Sequence, residues 1–456
     1  MVDKSTPDFF FNPRSIAVVG ASLNPAKLSH IVMKSIEEAG FSGRIYPVNP
    51  THTEVLGKKC YPHLEDIDDE IDVAIFALPA EKVVHEFEKG AGNIRGAIVI
   101  SGGFSETGKE GRLLEEALLR VAKKKGIRII GPNCMGIYDT ISGLDTLFIP
   151  YDRVDRPPKG RLAILSQSGS FALTAMDVLA REGIGVSRMV SYGNKIDVDE
   201  ADCLDFLRDD DNTDAVIMYI EGIDDGRRFV ESAKRCGKHL FAIKVGRREA
   251  GRRATSLHTG SIAGRYELYR AAFREAGITE LSGFEEFLDA CRVVHRLNPT
   301  SGNRVMIVTD GGGMGVSVAD MCADVGLQLP QLPDDVRREL EDMLPPYFTI
   351  SNPLDLTGNA TDEWYLASLE KTMTHELYQA AIVLLLWGPP ALTEALPAKL
   401  CELSDRIGKP FVICSPGGRF TEKMSVIFET LGMPVFSTPE AAVRAASIIL
   451  KERKGR

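Results

Sequence analysis

Arg161-Leu162-Ala163-Ile164-Leu165-Ser166-Gln167-Ser168-Gly169-Ser170 is the stretch that decides the fold. An apolar run of strand length, 161–165, breaks off in five small or polar residues and then passes into a longer amphipathic run at 171–181. A strand that feeds a helix through a short turn is half of a βαβ unit, and a series of them predicts a parallel sheet wrapped by helices. The series continues with strands at 186–190, 215–220 and 240–245 and a helix at 200–207. The same plan restarts at 304–309, where the apolar run ends in Asp310-Gly311-Gly312-Gly313 ahead of a helix at 314–323 and strands at 380–386, 410–415 and 435–436.

Nearer the N-terminus, strands at 15–19, 44–48, 73–78, 97–100 and 127–130 alternate with helices at 28–39, 81–90 and 109–125, the pattern of a doubly wound parallel sheet. Turn-rich segments at 151–159 and 297–303 separate the three series. The expected class is therefore α/β with three domains in tandem, 1–150, 155–296 and 300–456.

Composition narrows the function. The 456 residues carry 64 acidic and 54 basic side chains, a net charge of -10 that offers no basic excess to a polyanion, so nucleic acid is not an expected partner. The eight cysteines are scattered without a C-x-x-C pair, which points to reduced thiols in a cytoplasmic protein. No apolar run approaches the roughly 20 residues needed to cross a bilayer, and 1–11 has no signal-like apolar core.

The chemistry collects at strand ends. Gly20, with Ala21 and Ser22, follows the first strand where backbone N–H groups can meet a phosphate, although the G-x-G-x-x-G spacing of a dinucleotide fingerprint is absent. Val48-Asn49-Pro50, Ala77-Leu78-Pro79, Ser101-Gly102 and Asn133 close other strands of that sheet, and an extended nucleotide-bearing ligand fits such an edge. The turns at 166–170 and 310–313 place Ser168, Gly169, Gly312 and Gly313 at helix N-termini, where orphan N–H groups suit an anion held without a metal. His258 lies in Ser256-Leu257-His258-Thr259-Gly260-Ser261, a loop of small residues read as a mobile active-site loop. Glu221 ends a strand on the same edge; bonded to one ring nitrogen, it would leave the other free to attack, making His258 a nucleophile. Lys244, Arg247, Arg248, Arg252 and Arg253 precede that loop as a basic run. The acids Asp197, Asp199, Glu200 and Asp202 open a helix, and no metal site is read in the chain.

As an ordered set, Gly20-Ala21-Ser22 with Lys27, Tyr46-Pro47-Val48-Asn49-Pro50, Gly131-Pro132-Asn133-Cys134, Ser166-Gln167-Ser168-Gly169, Tyr219-Ile220-Glu221-Gly222, the His258 loop and Ser351-Asn352-Pro353-Leu354-Asp355 resemble the α subunit of ADP-forming (NDP-forming) acetyl-CoA synthetases, in the succinyl-CoA synthetase superfamily. The resemblance implies an N-terminal Rossmann-like CoA-binding domain followed by two flavodoxin-like succinyl-CoA-synthetase-type domains. It implies reversible conversion of acyl-CoA, ADP and phosphate to acid, ATP and CoA through an acyl phosphate and a phosphohistidine at His258, oriented by Glu221. Lys27 and the first-domain loops would hold CoA, and Gly169, Gly312 and Gly313 the travelling phosphate. The chain departs from the family at Ala26 and Ser29, where glycines more often flank the lysine. ADP or ATP and Mg2+ would sit on a separate ATP-grasp β subunit, in an α2β2 heterotetramer. The competing reading is a non-catalytic CoA- or nucleotide-binding regulatory protein of the same fold.

Overall fold

The computed structural model describes residues 7–89, 93–253, 265–296 and 300–450. The chain divides into two compact units, 1–282 and 283–456. In the first unit, β1 (Ser15–Val19), β2 (Arg44–Val48), β3 (Ile71–Phe76), β4 (Ile94–Val99) and β5 (Arg128–Ile130) form a parallel sheet in the order β2-β1-β3-β4-β5. Helices α1 (Leu28–Glu38), α2 (Ala80–Lys89) and α3 (Lys109–Lys125) connect its strands. Every residue of β1 and β3 is buried, as expected of strands covered on both faces.

The second sheet joins β6 (Gly136–Asp139), β7 (Leu144–Asp145), β8 (Lys159–Ser166), β9 (Val186–Ser191), β10 (Ala215–Ile220), β11 (His239–Lys244) and β12 (Thr279–Leu281) in the order β12-β11-β10-β8-β9-β6-β7. Strands β8 to β12 are mutually parallel. Helices α4 (Gly169–Arg181), α5 (Glu200–Arg208), α6 (Gly226–Cys236) and α7 (Tyr266–Ala276) accompany them. The β6–β7 hairpin, close in sequence to the first series, instead pairs antiparallel with β9 from Gly136↔Ser191 to Asp139↔Arg188. Buried Arg188 fastens it by binding Asp139 and, at 3.0 Å, Asp210. One apolar cluster runs from Ile16 and Ile98 of the first sheet to Leu165 and Met218 of the second, so the two sheets form one unit.

In the second unit, β13 (Val305–Thr309), β14 (Leu354–Asp355), β15 (Ala380–Leu384), β16 (Phe411–Cys414) and β17 (Val435–Phe436) are parallel in the order β14-β13-β15-β16-β17. Its helices are α8 (Phe284–Arg296), α9 (Gly312–Asp324), α10 (Asp334–Met343), α11 (Asp362–Thr374), α12 (Leu396–Ile407), α13 (Arg419–Thr430) and α14 (Pro439–Ile449). Helix α8 follows the last strand of the second sheet in sequence but packs on α14. Asp289 binds Arg444 at 2.7 Å, and Val293 joins the cluster of Val305 and Ile307.

Numbered along the chain, the parallel strands of all three sheets run 2-1-3-4-5. In such a sheet the connections leave strands one and three in opposite directions and open a ligand crevice at their carboxyl ends. The crevices lie at β1/β3, β8/β10 and β13/β15. Among the described residues, no helix is long and apolar enough to cross a membrane.

Candidate functional site

At the β1/β3 crevice the chain turns sharply. Gly20 has φ +91°, and a β-carbon there would meet Leu78 Cδ2 at 2.8 Å and Ala77 O at 3.0 Å, so glycine alone lets the loop lie this close. Gly20 and Ala21 donate to Val48 O at 2.9 and 3.2 Å, and Asn49 Nδ2 donates to Ala21 O at 2.7 Å, tying the loops after β1 and β2 together. Ser22 Oγ accepts from Asn24 N at 3.2 Å, and Lys27 stands exposed at the start of α1. Pro50, Pro79 and Gly102 are exposed, and Ser101 is half-buried with its hydroxyl toward Phe76 O. The carboxyl ends of four adjacent strands, in the order β2-β1-β3-β4, thus gather Gly20, Ser22, Lys27, Val48, Asn49, Pro50, Pro79, Ser101 and Gly102 on one edge. Asn133 adjoins this group, its N–H donating to Ser101 O at 3.0 Å while its Nδ2 donates at 3.3 Å to Asn194 Oδ1 in the loop after β9.

The β8/β10 crevice is more tightly built. Ser166 Oγ donates to Ser168 O and accepts from Ser168 N, and Ser168 Oγ caps α4 by accepting from Phe171 N at 3.2 Å. The helix starts at Gly169, two residues earlier than the sequence pattern suggests, so this glycine lies in the first turn. Gln167 Oε1 reaches across to β10 and accepts from both Glu221 N and Gly222 N, the latter at 3.0 Å. Glu221 is 3% exposed. His258 and the rest of 254–264 lie outside the described residues.

The basic run divides. Lys244 is 1% exposed, and burial pulls its pKa down to about 8 against the raising influence of Glu221. Arg248, Arg252 and Arg253 remain on the surface. The acidic run is spent on local structure: Asp199 caps α5, Glu200 binds Lys195 at 2.9 Å, and Asp197 and Asp202 bind Arg128 at 2.9 and 3.2 Å.

A cleft of about 380 Å³ opens beside this crevice, between Arg112, Glu115 and Glu116 of α3 and the segments at Gln167, 193–196 and 222–224. Asn194 organises one wall, donating to Glu106 Oε2 at 2.7 Å and Glu115 Oε2 at 2.8 Å. Burial opposes ionisation of Glu106, but the Asn194 amide and the N–H groups of Gly103 and Phe104 outweigh it and hold its carboxyl below the usual range. Asn194 and Glu106 carried no signal in sequence because they meet 88 residues apart, and Lys195 carried none because its main-chain partner, Gly222 O, is 27 residues away in a loop. Gln167 was visible only as part of its turn.

At the β13/β15 crevice, Thr309 Oγ1 accepts from Gly311 N at 3.0 Å, and both carboxylate oxygens of buried Asp310 accept from Leu386 N beyond the end of β15. Burial pushes the Asp310 carboxyl up, with the Leu386 N–H pulling the other way. Helix α9 begins at Gly312, and its N-cap, Gly311, supplies no side-chain cap. A β-carbon at Gly312 would lie 2.3 Å from Asp355 Oδ2, whereas Gly313 faces open space.

Three family models match the chain in tandem: a CoA binding domain at 14–140, a succinyl-CoA ligase like flavodoxin domain at 159–294 and a ligase-CoA domain at 305–441. The acetate–CoA ligase (ADP-forming) II subunit alpha of Pyrococcus furiosus is 37% identical over 98% of this chain and 98% of its own length. The acetate–CoA ligase (ADP-forming) I of Archaeoglobus fulgidus is 39% identical over 96% of this chain, which spans 62% of that protein's length. Among solved structures, the dinucleotide forming acetyl-coenzyme A synthetase 1 of Ca. Korarchaeum cryptofilum, in complex with phosphate and ADP, superposes with a TM-score of 0.90 at 34% identity. That match covers 98% of this chain and 96% of the other.

Proposed function

Because the chain belongs to the ADP-forming acetate–CoA ligase family, we propose that it is the α subunit of an ADP-forming acyl-CoA synthetase, acting reversibly on acyl-CoA, ADP and phosphate. The observation that carries this reading is the end-to-end match to an α subunit combined with glycine turns at two strand-one-to-helix junctions. The Gly20 edge, with Ser22, Lys27, Val48, Asn49, Pro50, Pro79, Ser101, Gly102 and Asn133, would receive CoA. Its fit to a phosphate-bearing ligand rests on the close, side-chain-free approach at Gly20.

Phosphate oxygen attacks the thioester carbonyl, the C–S bond breaks and CoA leaves as the thiol, giving an acyl phosphate. The His258 imidazole then takes the phosphoryl group and the carboxylate departs. ADP receives the phosphoryl group in turn, regenerating the imidazole. The first-turn N–H groups from Gly169, behind the Ser168 cap, and at Gly312-Gly313 stabilise phosphoryl oxygens, and the Glu221 carboxylate orients and stabilises the charged imidazole. ADP and Mg2+ bind an ATP-grasp β subunit, the two chains assembling as α2β2. The Pyrococcus relative's description as an alpha subunit supports a partner chain. All eight cysteines are free thiols, which supports a cytoplasmic setting.

Given acetyl-CoA and labelled phosphate, the full chain is expected to acquire an acid-labile, base-stable label that His258→Ala abolishes. A label surviving that substitution would remove His258 from the pathway. Absence of any label, with CoA still bound, would favour a regulatory CoA-binding protein.

A further inference from the structure

The dipeptide Glu221-Gly222 is held in an unusual way. Both of its N–H groups donate to Gln167 Oε1. Its two carbonyls accept from two different buried ammonium groups: Glu221 O from Lys244 Nζ at 2.8 Å, and Gly222 O from Lys195 Nζ at 2.7 Å. Side chains from three separate segments therefore satisfy all four backbone polar groups just past the end of β10.

Each holder is itself fixed. Gln167 lies between β8 and α4 and is 8% exposed. Lys195, 8% exposed, is gripped by both oxygens of Glu200 at 2.9 and 3.1 Å. Lys244 also donates to Val245 O and lies 4.5 Å over the Tyr269 ring. Backbone needs could be met by ladder bonds or water alone, whereas burying two ammonium groups carries a desolvation cost. A structure that bears such a cost fixes something beyond the chain path.

We infer that Gln167, Lys195 and Lys244 are positioning residues, which set the direction of the Glu221 carboxylate by immobilising the backbone on both sides of its Cα, with the Lys244 ammonium also facing its charge. This rests on the proposed role of Glu221 toward His258. The three act through Glu221 and touch no reacting atom.

Two consequences separate this role from simple structural support. Substitutions that act only through Glu221 lose their effect once its carboxylate is gone, whereas general loosening slows the reaction equally in either background. Lys244 also faces Glu221 just past β10, Lys195 from the loop after β9, Arg247 near its own strand end and the Tyr269 ring on α7. With its pKa near 8, it sheds its proton above that pH and the charge facing Glu221 drops. Arginine keeps its charge there.

The test is the initial rate of His258 phosphorylation of the full chain by acetyl-CoA and labelled phosphate. It is run for Gln167→Leu, Lys195→Met, Lys244→Met and Lys244→Arg, each with Glu221 intact or as Glu221→Gln. The expected result is a drop of about 10-fold or more in kcat for the leucine and methionine variants with Glu221 intact, KM for acetyl-CoA moving less than about 3-fold, and less than about 2-fold further loss on the Glu221→Gln background. Lys244→Arg is expected to retain more rate than Lys244→Met and to lack the alkaline fall near pH 8. Circular dichroism identifies any variant that fails to fold, and Gln167→Glu, which keeps the double acceptor, then takes the place of Gln167→Leu, with a smaller loss expected. Equal losses on both backgrounds would overturn the inference while leaving Glu221 in place. An unchanged rate in Glu221→Gln alone, or no label in the unsubstituted chain, would instead overturn the reading beneath it.

Discussion

The turns Ser166-Gln167-Ser168-Gly169 and Thr309-Asp310-Gly311-Gly312 are built to one plan with different chemistry. In each, a hydroxyl ending strand one bonds back to the residue two ahead, and the next side chain reaches across to accept N–H from the end of strand three. The first turn uses a neutral amide to hold Glu221 and a serine to cap its helix. The second uses a buried carboxylate and a glycine without a cap. A serine cap takes one of the four orphan N–H groups at a helix start, while an uncapped glycine leaves them for an outside acceptor. The plan thus fixes where a helix N-terminus stands, and the residue at the cap decides how much of it a ligand can use.

That comparison can be broken most sharply at Gly312. Gly312→Ala is expected to cost about 1–3 kcal/mol of stability, because Asp355 is tied by Thr357 N at 2.8 Å and cannot easily retreat from a new methyl group. Gly313→Ala, facing open space, should show no such loss in denaturant unfolding. Equal behaviour of the two would mean the second turn is not closely packed. Ser168→Ala is expected to cost about 1 kcal/mol and to speed amide hydrogen exchange at Phe171, whose N–H loses its acceptor. Unchanged exchange would erase the distinction between a capped and an uncapped turn.

The smallest effect is expected from Asp310→Asn, which keeps an acceptor for Leu386 N and removes the titration. An acid whose folded pKa exceeds its unfolded value binds more protons when folded, so stability falls as pH rises through the unfolded value, near 3.8, toward the folded one. Thermal melts should therefore show Asp310→Asn gaining on the unsubstituted chain between pH 4 and neutrality, with no gain below that. A constant offset across the range would show that burial of this carboxyl does not govern the turn.

The three-sheet order was legible because strands buried on both faces read as short apolar runs, and glycine or serine turns mark where each meets its helix. The β6–β7 hairpin was not: β7 has two residues, and its sheet is chosen by Arg188, about 50 residues away. At the candidate site, the glycines and Glu221 stood out because backbone geometry restricts which residues can serve there. Gln167, Lys195 and Lys244 did not, since an amide or ammonium bonded to main chain leaves no spacing pattern. Lys244 was visible only as a member of a basic run, which periodicity could not divide into one buried and several exposed members.

The placement of α8 bears on how the protein is best dissected. With Val293 buried in the cluster of Val305 and Ile307, and Asp289 bound to Arg444 of α14, a fragment ending at residue 296 would carry this helix away from these partners. Its apolar stripe would then face water and invite self-association. A cut near 282 keeps the stripe covered and leaves the 258 segment with the sheet that precedes it, so fragment solubility becomes a readout of where one folding unit ends and the next begins.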